Sequence, residues 1–155
     1  MARRLPVIQS PPSDEAAALS RSSPQWLLIG AAFTVVTFLP LSLVGLWAGS
    51  RLARGLARSE TAALGWAALP VLLAYVVAAA GAGAVVGRFG QRAHRAVPAG
   101  AGALGGALLV GFSLLKGVGS SAMAVGAACI FIGGGALFAA LGASYGRKRR
   151  PTLSS

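Results

Sequence analysis

The stretch Gly87-Arg88-Phe89-Gly90-Gln91-Arg92-Ala93-His94-Arg95-Ala96-Val97 decides how this chain is read. It carries Arg88, Arg92 and Arg95 with no acid to balance them, and a long apolar run flanks it on each side. A short basic turn between two apolar segments is the mark of a loop held on the cytoplasmic face of a membrane. The remainder of the chain threads outward from that anchor.

Two apolar runs precede the turn and two follow or adjoin it. The first, Trp26–Gly49, has 24 residues, which as a helix is about 36 Å long, enough to cross a hydrocarbon core of about 30 Å with some tilt. Trp26 and Trp47 stand near its ends, where amphipathic rings prefer the interface. Pro40 lies inside it and predicts a kink. The second run is Ala62–Val86, with Trp66 at its start and Pro70 in its first turns. The third is Val97–Leu115, with Pro98 at the head of the helix, where its missing N–H costs nothing. The fourth is Ala122–Ala143. Only a short turn of six residues, Lys116 to Ser121, joins the last two, so they must form an antiparallel hairpin. The expected fold is therefore all-α: an integral membrane bundle of four transmembrane helices spanning residues 26–146.

Composition agrees with that class. Charged residues make up 11% of the 155-residue chain and hydrophobic residues 55%, whereas a soluble domain carries roughly 25% charged residues. Residues 1–25 hold four prolines and five serines and no apolar period. They read as a flexible cytoplasmic tail, with Ser13 a candidate N-cap for one or two turns over 14–19. Residues 147–155 read as a second, basic cytoplasmic tail. A signal peptide is not expected, because its apolar region is about 7–15 residues, shorter than the first run.

The formal net charge of +11 does not point to nucleic acid. All fourteen Lys and Arg lie outside the apolar runs, and no soluble module is present to carry a basic face. The basic residues instead read as topology determinants and contacts for anionic lipid headgroups, at about 1 kcal/mol each near the surface. With both termini in the cytoplasm the inner segments hold ten of them, including Arg88, Arg92, Arg95, Arg147, Lys148, Arg149 and Arg150; the outer loops hold four. The bias places both ends inside. The exception is Arg51, Arg54 and Arg58, on one helical face of the first outer segment, which reads equally as a short amphipathic turn on the membrane surface or as a solvated loop. The Arg-rich, Ala- and Gly-rich composition is compatible with a GC-rich bacterial genome, and the expected location is the inner membrane.

Each run carries one Gly-x-x-x-Gly: Gly45/Gly49, Gly83/Gly87, Gly102/Gly106 and Gly142/Gly146. Residues four apart share a helical face, and removing both side chains lets a neighbouring backbone approach, which is how helices associate where lipid supplies no hydrophobic drive. The triplet Gly133-Gly134-Gly135 offers either close helix contact, the favoured reading, or a hinge or a gap admitting a ligand or lipid chain. The third and fourth runs are richest in glycine, so they are expected to form the tightest pair.

The chemistry that is missing narrows function further. No Asp, Glu, Lys, Arg or His lies inside any run, whereas proton-coupled transporters and pumps place ionisable groups there. Asp14, Glu15 and Glu60 are the only acids, and they are scattered. His94, the sole histidine, sits between arginines, and Cys129, the sole cysteine, has no base in its own helix. No catalytic residue, metal site or cofactor is expected. The leading expectation is a non-catalytic accessory, assembly or anchoring subunit, with a membrane-protein partner or self-association through the glycine faces. A small homo-oligomeric channel or transporter is the alternative. A lipid- or quinone-modifying enzyme at the headgroup level, with Arg88, Arg92 and Arg95 holding a phosphate, is weaker, because no general base accompanies them.

Overall fold

The structure, a computed structural model, describes residues 22–90, 96–115 and 121–148. Among them the architecture is all-helical. Helix α1 is Ser23–Leu56, α2 is Glu60–Phe89 and α3 is Val97–Leu115. The fourth rod consists of α4, Ser121–Ala128, a π-helical turn over Cys129–Gly133, and α5, Gly134–Lys148. Four stretches are long and apolar enough to cross a membrane: Ser23–Leu56, Glu60–Phe89, Val97–Leu115 and Val125–Lys148.

Local chemistry sets the helix boundaries. The Gln25 side chain accepts from the Ser22 backbone N–H at 3.0 Å and ties down the start of α1, and Pro24 lies in the first turn, where no helical N–H is needed. The Ser59 hydroxyl accepts from the Ala62 N–H at 3.2 Å to cap α2, whose first turn also carries Glu60 against the positive helix end. Basic residues close the last turns: Arg54 in α1, Arg88 in α2, and Arg147 with Lys148 in α5.

The helices are longer than hydropathy alone indicates. Residues 50–56 continue α1 as regular helix, so Arg51 and Arg54 ride on it and only 57–59 separate α1 from α2. That excludes both a separate surface turn and a solvated ten-residue loop. With α2 beginning at Glu60, Pro70 is a helix-interior residue and not part of the first turn. The fourth rod runs on through Arg147 and Lys148, which end the helix and do not begin a tail. The proposed Ser13 cap, and Arg92, Arg95, His94, Arg149 and Arg150, lie outside the described residues.

The order around the bundle is α1, α2, the fourth rod, α3. α1 shares its most extensive interface with α2, and α5 packs on both α2 and α3, while α2 and α3 meet only thinly across the middle. Contacts at the glycines give the directions. Gly45 and Gly49 face the backbone at Pro70 and Ala67, so α1 and α2 are antiparallel. Gly83 and Gly87 face Ala139 and Ala143, so α2 and α5 run parallel, as do α1 and α3 through Gly30 against Ala101 and Thr34 against Gly105. The bundle is thus two hairpins laid side by side. The expectation that the third and fourth rods form the tightest pair is corrected: α1 with α2, and α2 with α5, are packed more extensively. α1 and α2 are the longest of the described helices, and α2 and α5 each present a glycine face to small residues of the other.

Alanine dominates the interior. Ala31, Ala78, Ala79, Ala82, Ala101, Ala139 and Ala143 are buried, and Tyr75, Val86, Thr34 and Pro98 are the largest fully buried side chains. Small side chains let the backbones themselves approach, so dispersion between main chains replaces the interlocking of large residues.

Candidate functional site

One polar side chain occupies the centre of the bundle. Tyr75, at mid-length in α2, is only 2% exposed. Its hydroxyl donates to the carbonyl of Phe131 in the π turn and lies 3.5 Å from the carbonyl oxygen of Gly102 in α3. A tyrosine hydroxyl buried in apolar surroundings needs an acceptor. A π turn widens the helical ring by one residue, a distortion that leaves backbone groups open to outside partners. The two irregularities therefore meet: the phenol finds a carbonyl, and the irregular turn finds a donor.

Gly106 and Gly135 make the space for that hydroxyl, and Gly102 lets the Gly135 backbone approach. A Cβ at Gly106 would come within 2.7 Å of the Tyr75 oxygen and would also strike the Phe131 carbonyl. A Cβ at Gly102 would strike the Gly135 backbone, and one at Gly135 would strike the Tyr75 hydroxyl. The phenol ring is held edge-on by two phenylalanines: Tyr75 and Phe131 centroids are 4.7 Å apart, Phe38 and Tyr75 5.7 Å, and Phe38 and Phe131 6.2 Å. Phe38 comes from α1, Tyr75 from α2, Gly102 and Gly106 from α3, and Phe131 from the fourth rod, so every rod contributes to one knot.

Of the remaining glycines, Gly30, Gly81, Gly100 and Gly105 face side chains of neighbouring helices, Gly55 and Gly65 beside the α1–α2 turn face open space, and two further groups contrast with each other. At Gly45, Gly49, Gly83, Gly87, Gly142 and Gly146 an added Cβ would run into a neighbouring backbone, namely Pro70, Ala67, Ala139, Ala143, Ala80 and Ala84 respectively. At Gly111, Gly126, Gly133 and Gly134 it would meet nothing within 4 Å. Within the triplet Gly133-Gly134-Gly135, Gly135 alone faces a neighbour inside the chain. Successive residues of a helix point about 100° apart, so three in a row cannot share one contact face.

The other polar groups are spent locally. Thr34 Oγ1 donates to the Gly30 carbonyl at 2.9 Å and Ser113 Oγ to Leu109 at 2.9 Å; Ser42 Oγ donates to Leu39 at 2.8 Å and Ser144 Oγ to Leu141 at 2.7 Å. Among the described residues, no buried side-chain nitrogen or oxygen lacks a hydrogen-bond partner, and no cluster of three His, Cys, Asp or Glu side chains could hold a metal ion. Cys129 is exposed on the π turn.

Of the predicted basic residues, Arg88 ends α2 with its guanidinium 5.6 Å from the Phe89 ring centroid, and Arg147 and Lys148 end α5. Because α2 and α5 are parallel, these three share one end of the bundle. Sequence reasoning did not single out Tyr75 as the centre. The available signal was its position, a lone tyrosine far from either end of an apolar run. The π turn has no signal in residue type.

Comparison with known proteins finds no matching family model, no similar curated protein and no similar solved structure.

Proposed function

We propose that this chain is a multi-pass inner-membrane protein with both termini in the cytoplasm, acting as a non-catalytic accessory, assembly or anchoring subunit of a membrane complex. Aromatic residues support insertion. Trp26, Phe89 and Tyr145 stand at one end of the bundle, and Trp47 and Trp66 at the other. Trp26 and Trp47 are 21 positions apart on α1, about 32 Å along a helix and close to the hydrocarbon thickness of a bilayer. Between these belts the outer surface is apolar, with Val36, Leu39, Leu43, Leu73, Val77, Leu108, Leu137 and Leu141 exposed. Such a surface suits lipid and the flank of another helix, and is too extensive for a water-soluble monomer.

The observation that carries the subunit reading is the set of open glycines. Gly111, Gly126, Gly133 and Gly134 meet nothing inside the chain, yet glycine in a helix costs about 1 kcal/mol relative to alanine. A partner helix approaching its backbone closely is what such positions serve. The interior supplies the complementary argument. It is mostly alanine and glycine, with Thr34 bonded to its own helix and Tyr75 donating to a backbone carbonyl, and among the described residues no buried charged side chain is present to relay a proton or ion. Gly102 and Gly106 are occupied within the bundle, so leucine there tests folding and not association.

The test is purification in mild detergent through a C-terminal tag, followed by mass analysis of the intact assembly, for the unaltered protein and for Gly126→Leu/Gly133→Leu. A larger protein held at fixed stoichiometry and lost in the variant is expected. A homo-oligomer alone, equally stable in both, overturns the subunit reading and turns attention to ion flux in vesicles.

A further inference from the structure

Three arginines lie at the end of the bundle opposite to that favoured by the charge bias, and the structure gives them a shared location. Arg51 and Arg54 are in the last two turns of α1, and Arg58 is in the short turn before α2. All three are exposed. The antiparallel contacts of Gly45 with Pro70 and of Gly49 with Ala67 place Trp47 and Trp66 at the same height, within about a turn. Trp47 is 62% exposed and Trp66 38%, so the α1–α2 hairpin presents two indoles in one belt with three guanidinium groups just beyond it.

The guanidinium groups of Arg51 and Arg54 do not reach past the tip. Side chains on a helix lean toward its N-terminus, which for α1 means back toward the apolar span. The Arg51 guanidinium carbon is 5.3 Å from the Trp47 ring centroid, and Arg54 Nε donates to the Ser50 carbonyl at 3.1 Å. Arg54 keeps its terminal N–H groups, and stacked Arg51 keeps its donors along the edge of the guanidinium plane. Donors are thus held at the depth of the indole belt, where the phosphates of a leaflet lie. Glu60 is the only acid of the tip, which leaves it net cationic.

We propose that the α1–α2 tip binds the phosphate of anionic glycerophospholipids through Arg51, Arg54 and Arg58, with Trp47 and Trp66 against the glycerol and upper acyl chain. Guanidinium groups match phosphate geometry, and a headgroup without its own cation avoids the repulsion that a choline group would meet here. The inward lean of Arg51 and Arg54 favours lipid over an acidic protein, which would dock beyond the tip. The site explains why basic residues stand at this end against the topology bias. It rests on the membrane reading above.

The experiment uses the full chain with Trp26→Phe, so that Trp47 and Trp66 alone fluoresce, reconstituted into low-salt vesicles. Quenching by phosphatidylglycerol with brominated acyl chains is compared with quenching by phosphatidylcholine brominated in the same way. The expected preference for phosphatidylglycerol is roughly fivefold, the weight of one basic residue near the surface, or more. It should vanish in Arg51→Gln/Arg54→Gln/Arg58→Gln and persist in Arg88→Gln/Arg147→Gln/Lys148→Gln. Equal quenching by the two lipids, or a preference that survives the first triple substitution, overturns the site. If that variant does not reconstitute, the unsubstituted arginines decide: at about 0.5 M salt, where screening acts within a few ångströms, the preference should collapse. A preference indifferent to salt overturns the site. Quenching by neither lipid is a different failure, and it removes the membrane reading itself.

Discussion

At the scale of single residues the same amino acid plays two opposite parts. Gly142 lies so close to the Ala80 backbone that a methyl group there would collide with its carbonyl, whereas Gly126 faces open space. Gly142→Ala should therefore destabilise the bundle by about 1–3 kcal/mol through overpacking. Gly126→Ala should be neutral or stabilising by up to about 1 kcal/mol, because the unfolded chain loses freedom and the helix gains a better former. Reversible unfolding in mixed micelles measures both. Equal effects of the two changes would show that backbone contact does not distinguish these glycines. Spacing in the sequence marks Gly142 and Gly146 as a pair but gives no sign of which glycines meet a partner. That distinction depends on the rotation of each rod, and rotation is set by neighbours.

At the scale of elements, the fourth rod holds the main departure from regularity. Its π turn, Cys129–Gly133, coincides with the acceptor for Tyr75. Tyr75→Phe keeps the ring and its edge contacts with Phe38 and Phe131 and removes only the donor. The expected loss is about 1 kcal/mol, within the range for hydrogen bonds between membrane helices, again read from unfolding in micelles. A loss near zero would mean that the turn stands without the phenol. The amide of the π turn should also exchange faster in the variant, since an irregular turn without its outside donor opens more readily. Apolar periodicity predicted a rod here and gave no warning of the turn, because Cys129, Ile130, Phe131 and Ile132 suit an α-helix equally well. A tyrosine 56 residues earlier in the chain supplies the other half of the arrangement.

At the scale of the whole molecule, two antiparallel hairpins lie side by side, with α1 next to α3 and α2 next to α5. The ends of α2 and α5, carrying Arg88, Arg147 and Lys148, come together at one end, and the α1–α2 turn lies at the other. The proposed topology, read from the charge bias, puts the first end in the cytoplasm. A periplasm-active phosphatase fused after Leu56, within the α1–α2 turn, should be active, and a fluorescent protein at the C-terminus should fold and fluoresce. The reverse pattern would invert the orientation and leave the bundle unchanged.

Length, apolarity and the exclusion of charge from four runs were enough to specify four helical rods, and the short breaks between the runs specified their alternating direction. The same residues leave the order of helices around the bundle open. Every run is apolar all round, so no polar stripe identifies an inner face. Helix length was also underread past residue 49, because Arg51 and Arg54 are as compatible with a solvated loop as with helix. Only the tertiary structure decided that Gly83/Gly87 and Gly142/Gly146 face each other's helices, that Gly133 and Gly134 face outward, and that Tyr75 closes the centre. Those outcomes depend on backbones approaching within side-chain contact of one another. Such approach is a property of pairs of helices and is encoded in no single segment.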